Sequence, residues 1–158
     1  HAANVRGSLT PEVQDRQICS WLMGAPLVFA GDLSSLTEEH LDHYRRRFGL
    51  VVRLHREYGI FRRFQFSGVP APTDEDWHWW GKLNDAGEGA VVVLRGNGGA
   101  ERRRIVIPWA REDAEYRVYA HFREEALGEF TGRELRAGAV ELALPPLGQE
   151  LLELSVRK

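Results

Sequence analysis

The sequence predicts an α+β chain, mainly β, in which a helix–strand–helix segment leads into an antiparallel β-sandwich. Three observations predict it. Before about residue 68, apolar residues recur at spacings of three and four. After it they alternate, and glycine-containing turns separate the runs. One short run, Leu27-Val28-Phe29-Ala30, is apolar at every position, the pattern of a parallel strand buried on both faces. The expected division is 1–67 for helix, strand and helix, 68–88 for a linker and tryptophan-rich connection, and 89–158 for the sandwich.

Thr10-Pro11-Glu12 marks the first helix start. Thr10 offers a side-chain acceptor, Pro11 gives up no needed amide, and Glu12 suits the positive helix end. Ile18, Trp21 and Leu22 then share a face, and Gly24 and Pro26 end the helix. Gly31-Asp32 closes the buried strand. Thr37 caps the second helix, with Glu38 and Glu39 in its first turn and Leu36 and Leu41 as a hydrophobic staple. Leu41, Tyr44, Phe48, Val51, Leu54 and Tyr58 continue one stripe, and Gly59 follows the last turn. Helix, buried strand and helix form one unit of a parallel α/β fold. A single parallel strand makes no sheet, so this half reads as incomplete.

Beyond a stretch holding Gly68, Pro70 and Pro72, strands are predicted over 90–95, 104–109 and 116–122, the last with Tyr116, Val118, Ala120 and Phe122 on one face. Gly96-Asn97-Gly98-Gly99 is a turn, and Thr131-Gly132 and Ala137-Gly138 read as hairpin turns. Val140, Leu142 and Leu144 form one alternating strand, and Leu152, Leu154 and Val156 another.

Composition excludes several functions. With 43% hydrophobic and 28% charged residues, the chain has a folded globular profile. No apolar run approaches the roughly 20 residues of a membrane-spanning helix. A formal net charge of −2 gives no reason to expect nucleic acid. The runs Arg45-Arg46-Arg47 and Arg102-Arg103-Arg104 sit among acids and read as solvated faces. Cys19 is the only cysteine, so an internal disulfide and a multi-cysteine metal site are excluded. A reducing, cytoplasmic setting fits it, and the first residues lack the basic-then-apolar order of a secretory signal.

Few residues carry candidate chemistry. Trp77, Trp79 and Trp80, beside Asp74, Asp76 and His78, form the best carbohydrate-binding candidate, because exposed indoles stack on sugar rings. The competing reading is an aromatic wedge buried at an interface, and the alternation of Trp77 and Trp79 favours it. His40 and His43, with Asp42, share a helical region, but no third ligand is placed, so no metal is expected. His78 and His121 read as lone packed or surface histidines. No serine lies in a nucleophile elbow, and the glycine runs at 87–89 and 96–99 open no helix, so no phosphate-bearing cofactor is expected.

The string Met23-Gly24-Ala25-Pro26-Leu27-Val28-Phe29-Ala30-Gly31-Asp32-Leu33 resembles the eighth barrel strand of α-galactosidase-type retaining glycosidases. The succession of last helix, connection and antiparallel sandwich resembles theirs as well, and Gly128 through Leu135 resembles the end of that sandwich. The resemblance implies a (β/α)₈ barrel whose catalytic aspartates stand on upstream strands, in the two-carboxylate arrangement of retaining chemistry. It places the start of this chain near the seventh barrel helix, so no residue here matches either aspartate. Asp32 falls at the end of the barrel strand where active sites gather, although capping the following turn is its preferred role.

Three functions follow as expectations. The first is a non-catalytic C-terminal part of a glycosidase, whose partner is the catalytic barrel of the parent chain. The second is a carbohydrate-binding module using Trp77, Trp79 and Trp80, and the third an oligomerisation element. If barrel neighbours of Leu27–Ala30 are missing, self-association, or re-packing of the first half onto the sandwich, is expected.

Overall fold

The computed structural model describes residues 2–5, 7, 9–22, 28–66 and 77–157. Part of the barrel-like string (23–27) and the segment 67–76 lie outside the described residues, as do Asp74 and Asp76.

Strand β1 (Ala2–Val5) precedes helix α1 (Pro11–Trp21), whose cap Thr10 accepts from the Val13 amide at 3.5 Å. Strand β2 (Val28–Gly31) is followed by a short 3-10 turn, Leu33–Ser35, and by α2 (Glu38–Tyr58). Thr37 caps α2 as expected, but the capping box is closed by His40, whose Nδ1 accepts from the Thr37 amide at 3.2 Å. Gly59 ends the helix at φ 64, in the left-handed region that glycine enters without strain. The helix stripe is realised: Tyr44, Val51, Leu54 and Tyr58 are buried, and Phe48 packs beside them.

One expectation for this half is corrected. The apolar strand is not alone, because β1 pairs with it in parallel, Ala2 opposite Val28 through Val5 opposite Gly31. The chain therefore carries two neighbouring parallel strands with α1 between them, a complete β–α–β unit followed by a further helix. Among the described residues β2 has no second neighbour, so the pair is no closed sheet.

The second half is a six-stranded antiparallel sheet facing a two-stranded one. The large sheet runs β3 (Gln65–Phe66), β4 (Trp77–Leu83), β5 (Gly89–Arg95), β10 (Gln149–Val156), β7 (Glu115–Ala120) and β8 (Glu125–Thr131) in spatial order. The small sheet pairs β6 (Arg102–Ile105) with β9 (Val140–Ala143). Between them lies one core, built from Val91, Val93, Tyr116, Val118, Leu152 and Leu154 on one side and Ile105, Val140 and Leu142 on the other. On the outer face of the large sheet lies a second core. There Trp80, Ala90, Val92 and Leu151 meet Ile18, Leu22, Val51 and Leu54 of α1 and α2. Helices, large sheet and small sheet are thus three layers, with α1 and α2 packed onto the sandwich. Strand β5 is apolar along Ala90–Leu94 because both its faces are covered, Val91 and Val93 by the small sheet and Ala90 and Val92 by the helices.

Four further details depart from expectation. Thr131-Gly132 is no hairpin turn. It opens the short helix α3 (Gly132–Arg136), because Thr131 and Glu134 make a reciprocal capping box, the Thr131 amide donating to Glu134 Oε2 at 2.7 Å. Gly132 is required there, since a Cβ would stand 1.7 Å from the Arg111 carbonyl oxygen. Ala137-Gly138 instead links α3 to β9, with Gly138 at φ 77. Phe122 leaves the face of Tyr116, Val118 and Ala120 because β7 ends at Ala120, and its ring packs with the helix layer. The strand expected at 104–109 is shifted to Arg102–Ile105.

Candidate functional site

Asp32 lies one residue past the C-terminal end of β2, exposed, and its carboxylate is occupied locally. Oδ1 accepts from the Ser34 amide at 3.1 Å and the Ser34 hydroxyl at 2.5 Å, capping the 3-10 turn. The Ser34 hydroxyl bond holds its carboxyl below the usual range. His40 and His43 do not converge. His40 serves the Thr37 cap, whereas His43 Nε2 meets Asp15 Oδ1 at 2.8 Å across the α1–α2 contact. Arg47 binds the same carboxylate, Nε at 2.7 Å to Oδ1 and Nη2 at 3.3 Å to Oδ2. Asp15 is thus a buried anchor between the helices. Among the described residues, no group of three or more metal-ligating side chains gathers.

The three indoles sit on β4, where alternation divides them. Trp77 is buried in the core between the sheets, its Nε1 donating to the Ala100 carbonyl at 2.8 Å. Trp79, on the same face, is half-buried and donates to the Val106 carbonyl at 2.7 Å. Trp80 points the opposite way, under the helices, 6% exposed. The structure therefore brings Trp77 and Trp79 to one face and Trp80 to the other, and the three share no flat exposed surface.

Sequence reasoning passed over the densest polar cluster in the described residues. Glu153 of β10 accepts from Tyr58 at 2.6 Å, from Arg53 at 2.6 and 3.0 Å, and bonds His121 Nε2 at 2.7 Å. It ties α2 to the large sheet and to the end of β7. Burial pushes the Glu153 carboxyl up, but the bonds from His121, Arg53 and Tyr58 outweigh it and hold it well below the usual range. Tyr58 is displaced upward by burial and then by its bond to Glu153. The lone signal in the sequence was Glu153 itself, the charged position of an otherwise apolar alternation.

A second buried polar pair lies at the C-terminal end of α2. Lys82, 2% exposed, donates to the Phe61 carbonyl at 2.8 Å, and burial lowers its pKa. Burial, helped by the nearby Lys82 charge, lowers His55 from 6.5 to about 4, and its Nε2 is buried without a partner. Folded His55 thus binds a proton more weakly than unfolded His55. Between about pH 6.5 and pH 4 the unfolded chain holds more protons, so stability is full above that window and falls as pH drops through it. We expect a loss of about 2 kcal/mol from pH 7 to pH 4, after allowance for partial solvent screening. Urea denaturation at the two pH values measures it, and a His55→Gln chain should show a visibly shallower dependence. A wild-type curve flat from pH 7 to pH 5 would contradict the assignment.

With the layers defined, the fold is a parallel strand pair with its helices, joined to an antiparallel sandwich. No family model and no curated protein matches the sequence. Solved structures match the fold. A GH27 β-L-arabinopyranosidase from Geobacillus stearothermophilus is 16% identical, with TM-score 0.60 over 94% of this chain and 31% of its own. An α-galactosidase from Lactobacillus brevis is 14% identical, with TM-score 0.67 over 89% of this chain and 20% of its own. A proposed α-N-acetylgalactosaminidase from Bacillus halodurans C-125 is 14% identical, with TM-score 0.62 over 96% and 32%. The chain spans about a third or less of the length of these structures.

Proposed function

We propose that this chain is a non-catalytic C-terminal part of a glycoside hydrolase related to the α-galactosidases, and that its sandwich stabilises the catalytic barrel. One observation carries the reading. Helices α1 and α2, which flank the parallel β1–β2 pair in the chain, are seated on the sandwich through a continuous apolar core, and the chain overlays a minor part of glycosidase chains. In this reading β1 and β2 are the last two barrel strands and α1 and α2 the last two barrel helices. The helices bury one face toward the sandwich, so barrel and sandwich are mechanically one body. The partner is the rest of the barrel, which completes the pairing of β2 and supplies the reacting carboxylates. Asp32 keeps its turn-capping role at the rim.

The test is hydrolysis of nitrophenyl α-galactoside and β-arabinopyranoside. This chain alone should give no turnover above the blank. The longer protein that carries it should turn over one of them, and deleting 89–158 from it should lower its melting temperature by about 10 °C or abolish folding, as expected when a large apolar face is stripped. Turnover by the isolated chain, or an unaffected melt after the deletion, sinks the proposal.

A further inference from the structure

The helices cover only part of the outer face of the large sheet. Helix α1 packs on β10 and α2 on β5, and the outer positions of β7 and β8 stay open, with Arg117, Ala126 and Glu129 exposed. Register fixes what stands there, because cross-strand partners share a face. Ser155 of β10, Arg117 of β7 and Glu129 of β8 form one row, and Glu153, Tyr119 and Ala126 the next. Glu153 reaches α2, which identifies this as the helix-side face. Between Val118 and Tyr119 the β7–β8 register shifts, since Val118 faces Gly128 and Tyr119 faces Ala126, leaving Leu127 as an extra residue. Such a bulge re-aims neighbouring side chains. Leu127 turns into the core, and Tyr119 is left between Glu153 and the small Ala126.

Two open surface pockets, or lobes, have Tyr119 in common among their lining residues. One lobe, about 450 Å³, lies over Arg117, Ala126, Glu129 and Ser155; the other, about 360 Å³, lies between Arg46, Leu50 and His121. Both volumes fall in the ~300–1,000 Å³ range of small-molecule sites. His121 meets the Tyr119 ring edge-on, centroids 4.9 Å apart, and so steadies it. Most of the charges nearest Tyr119 are paired: Arg117 Nε donates to Glu129 Oε1 at 3.1 Å, Arg157 to Glu129 Oε2 at 3.0 Å, and Arg53 and His121 hold Glu153, while Arg46 and Glu124 at the second lobe are of opposite sign.

The geometry points to a binding site for a neutral saccharide, with Tyr119 as its stacking platform. An aromatic ring with the small Ala126 beside it, and Ser155 in the adjacent row, suits the apolar face of a pyranose. Planar groups whose charges are already compensated offer donors and acceptors to hydroxyls without the net field that would select an anion. This goes beyond the structural role proposed above and does not depend on it, because the site lies wholly within the sandwich and α2.

Saturation-transfer NMR on the full chain, with methyl α-galactopyranoside, methyl α-glucopyranoside and galacturonate as probes, tests it. Transfer is expected from at least one neutral glycoside, reduced about tenfold by Tyr119→Ala through loss of the ring contact. Ser155→Tyr, which fills the first lobe and leaves Tyr119 in place, should reduce it similarly, and both variants should melt with the parent chain. No transfer from either neutral glycoside, transfer unchanged in both variants, or a clear preference for galacturonate overturns the proposal.

Discussion

Replacing Glu153 with alanine is expected to destabilise the chain by about 3 kcal/mol, the scale of removing one partner from a largely buried charge cluster. The loss is large because three donors depend on this one carboxylate. Tyr58, Arg53 and His121 all lie within 2.7 Å of it through their closest atoms, and after truncation Tyr58 and His121 are left to find water at a layer boundary while Arg53 keeps only Glu57. Glu153 is also the link between α2 and two strands of the large sheet, so its loss loosens the contact between layers. Glu153→Gln keeps an acceptor for Tyr58 but loses the charge, and should cost less than the alanine. Urea denaturation at pH 7 measures both. The pH dependence of stability supplies a second signature. The folded carboxyl lies below its ordinary value of 4.5, so its stabilisation is present above about pH 4.5 and fades as pH falls below it. That loss lies below most of the His55 window and should vanish in Glu153→Ala. A change under 1 kcal/mol with an unaltered acid limb would mean that the cluster is solvated and holds nothing.

What the sequence revealed and what it hid divide along a physical line. Helix α2 was legible because its information is local. Thr37, the three-and-four spacing of Tyr44, Phe48, Val51, Leu54 and Tyr58, and Gly59 each act within a turn or two of themselves. The alternation that set Trp77 and Trp79 on one face of β4 was legible for the same reason. Strand β1 was not, because Ala2-Ala3-Asn4-Val5 is short and small-sided and becomes a strand by pairing with Val28–Gly31. Helix α3 was missed although Thr131 and Glu134 spell a capping box, since the glycine beside Thr131 drew the reading toward a turn. The Glu153 cluster was beyond reach. Arg53 and Glu153 stand 100 positions apart, and no local pattern pairs them. Nor does sequence say which face of a strand is covered: Trp80 looks like an exposed neighbour of Trp79 until the helix layer is placed on it.

The largest expected effect is that of removing this helix layer. A chain beginning at residue 77 keeps β4 through β10 and should nevertheless fail to fold cooperatively. It would leave Trp80, Ala90, Val92 and Leu151 without Ile18, Leu22, Val51 and Leu54 above them. Burial of a large aliphatic or aromatic side chain contributes about 1.5–3 kcal/mol. Losing cover over three large side chains and an alanine therefore removes about 5 kcal/mol or more, comparable to the whole stability of a small domain. The bared face would also be an apolar surface bordered by β4, now an edge once β3 is gone, and both features promote association. We expect dye binding, broad melting and multi-angle scattering above the monomer mass. A monomeric fragment with a sharp transition would show the sandwich to be self-sufficient. It would also remove the physical basis for a stabilising role, because a sandwich that needs nothing from the helices has no core in common with the barrel they would belong to.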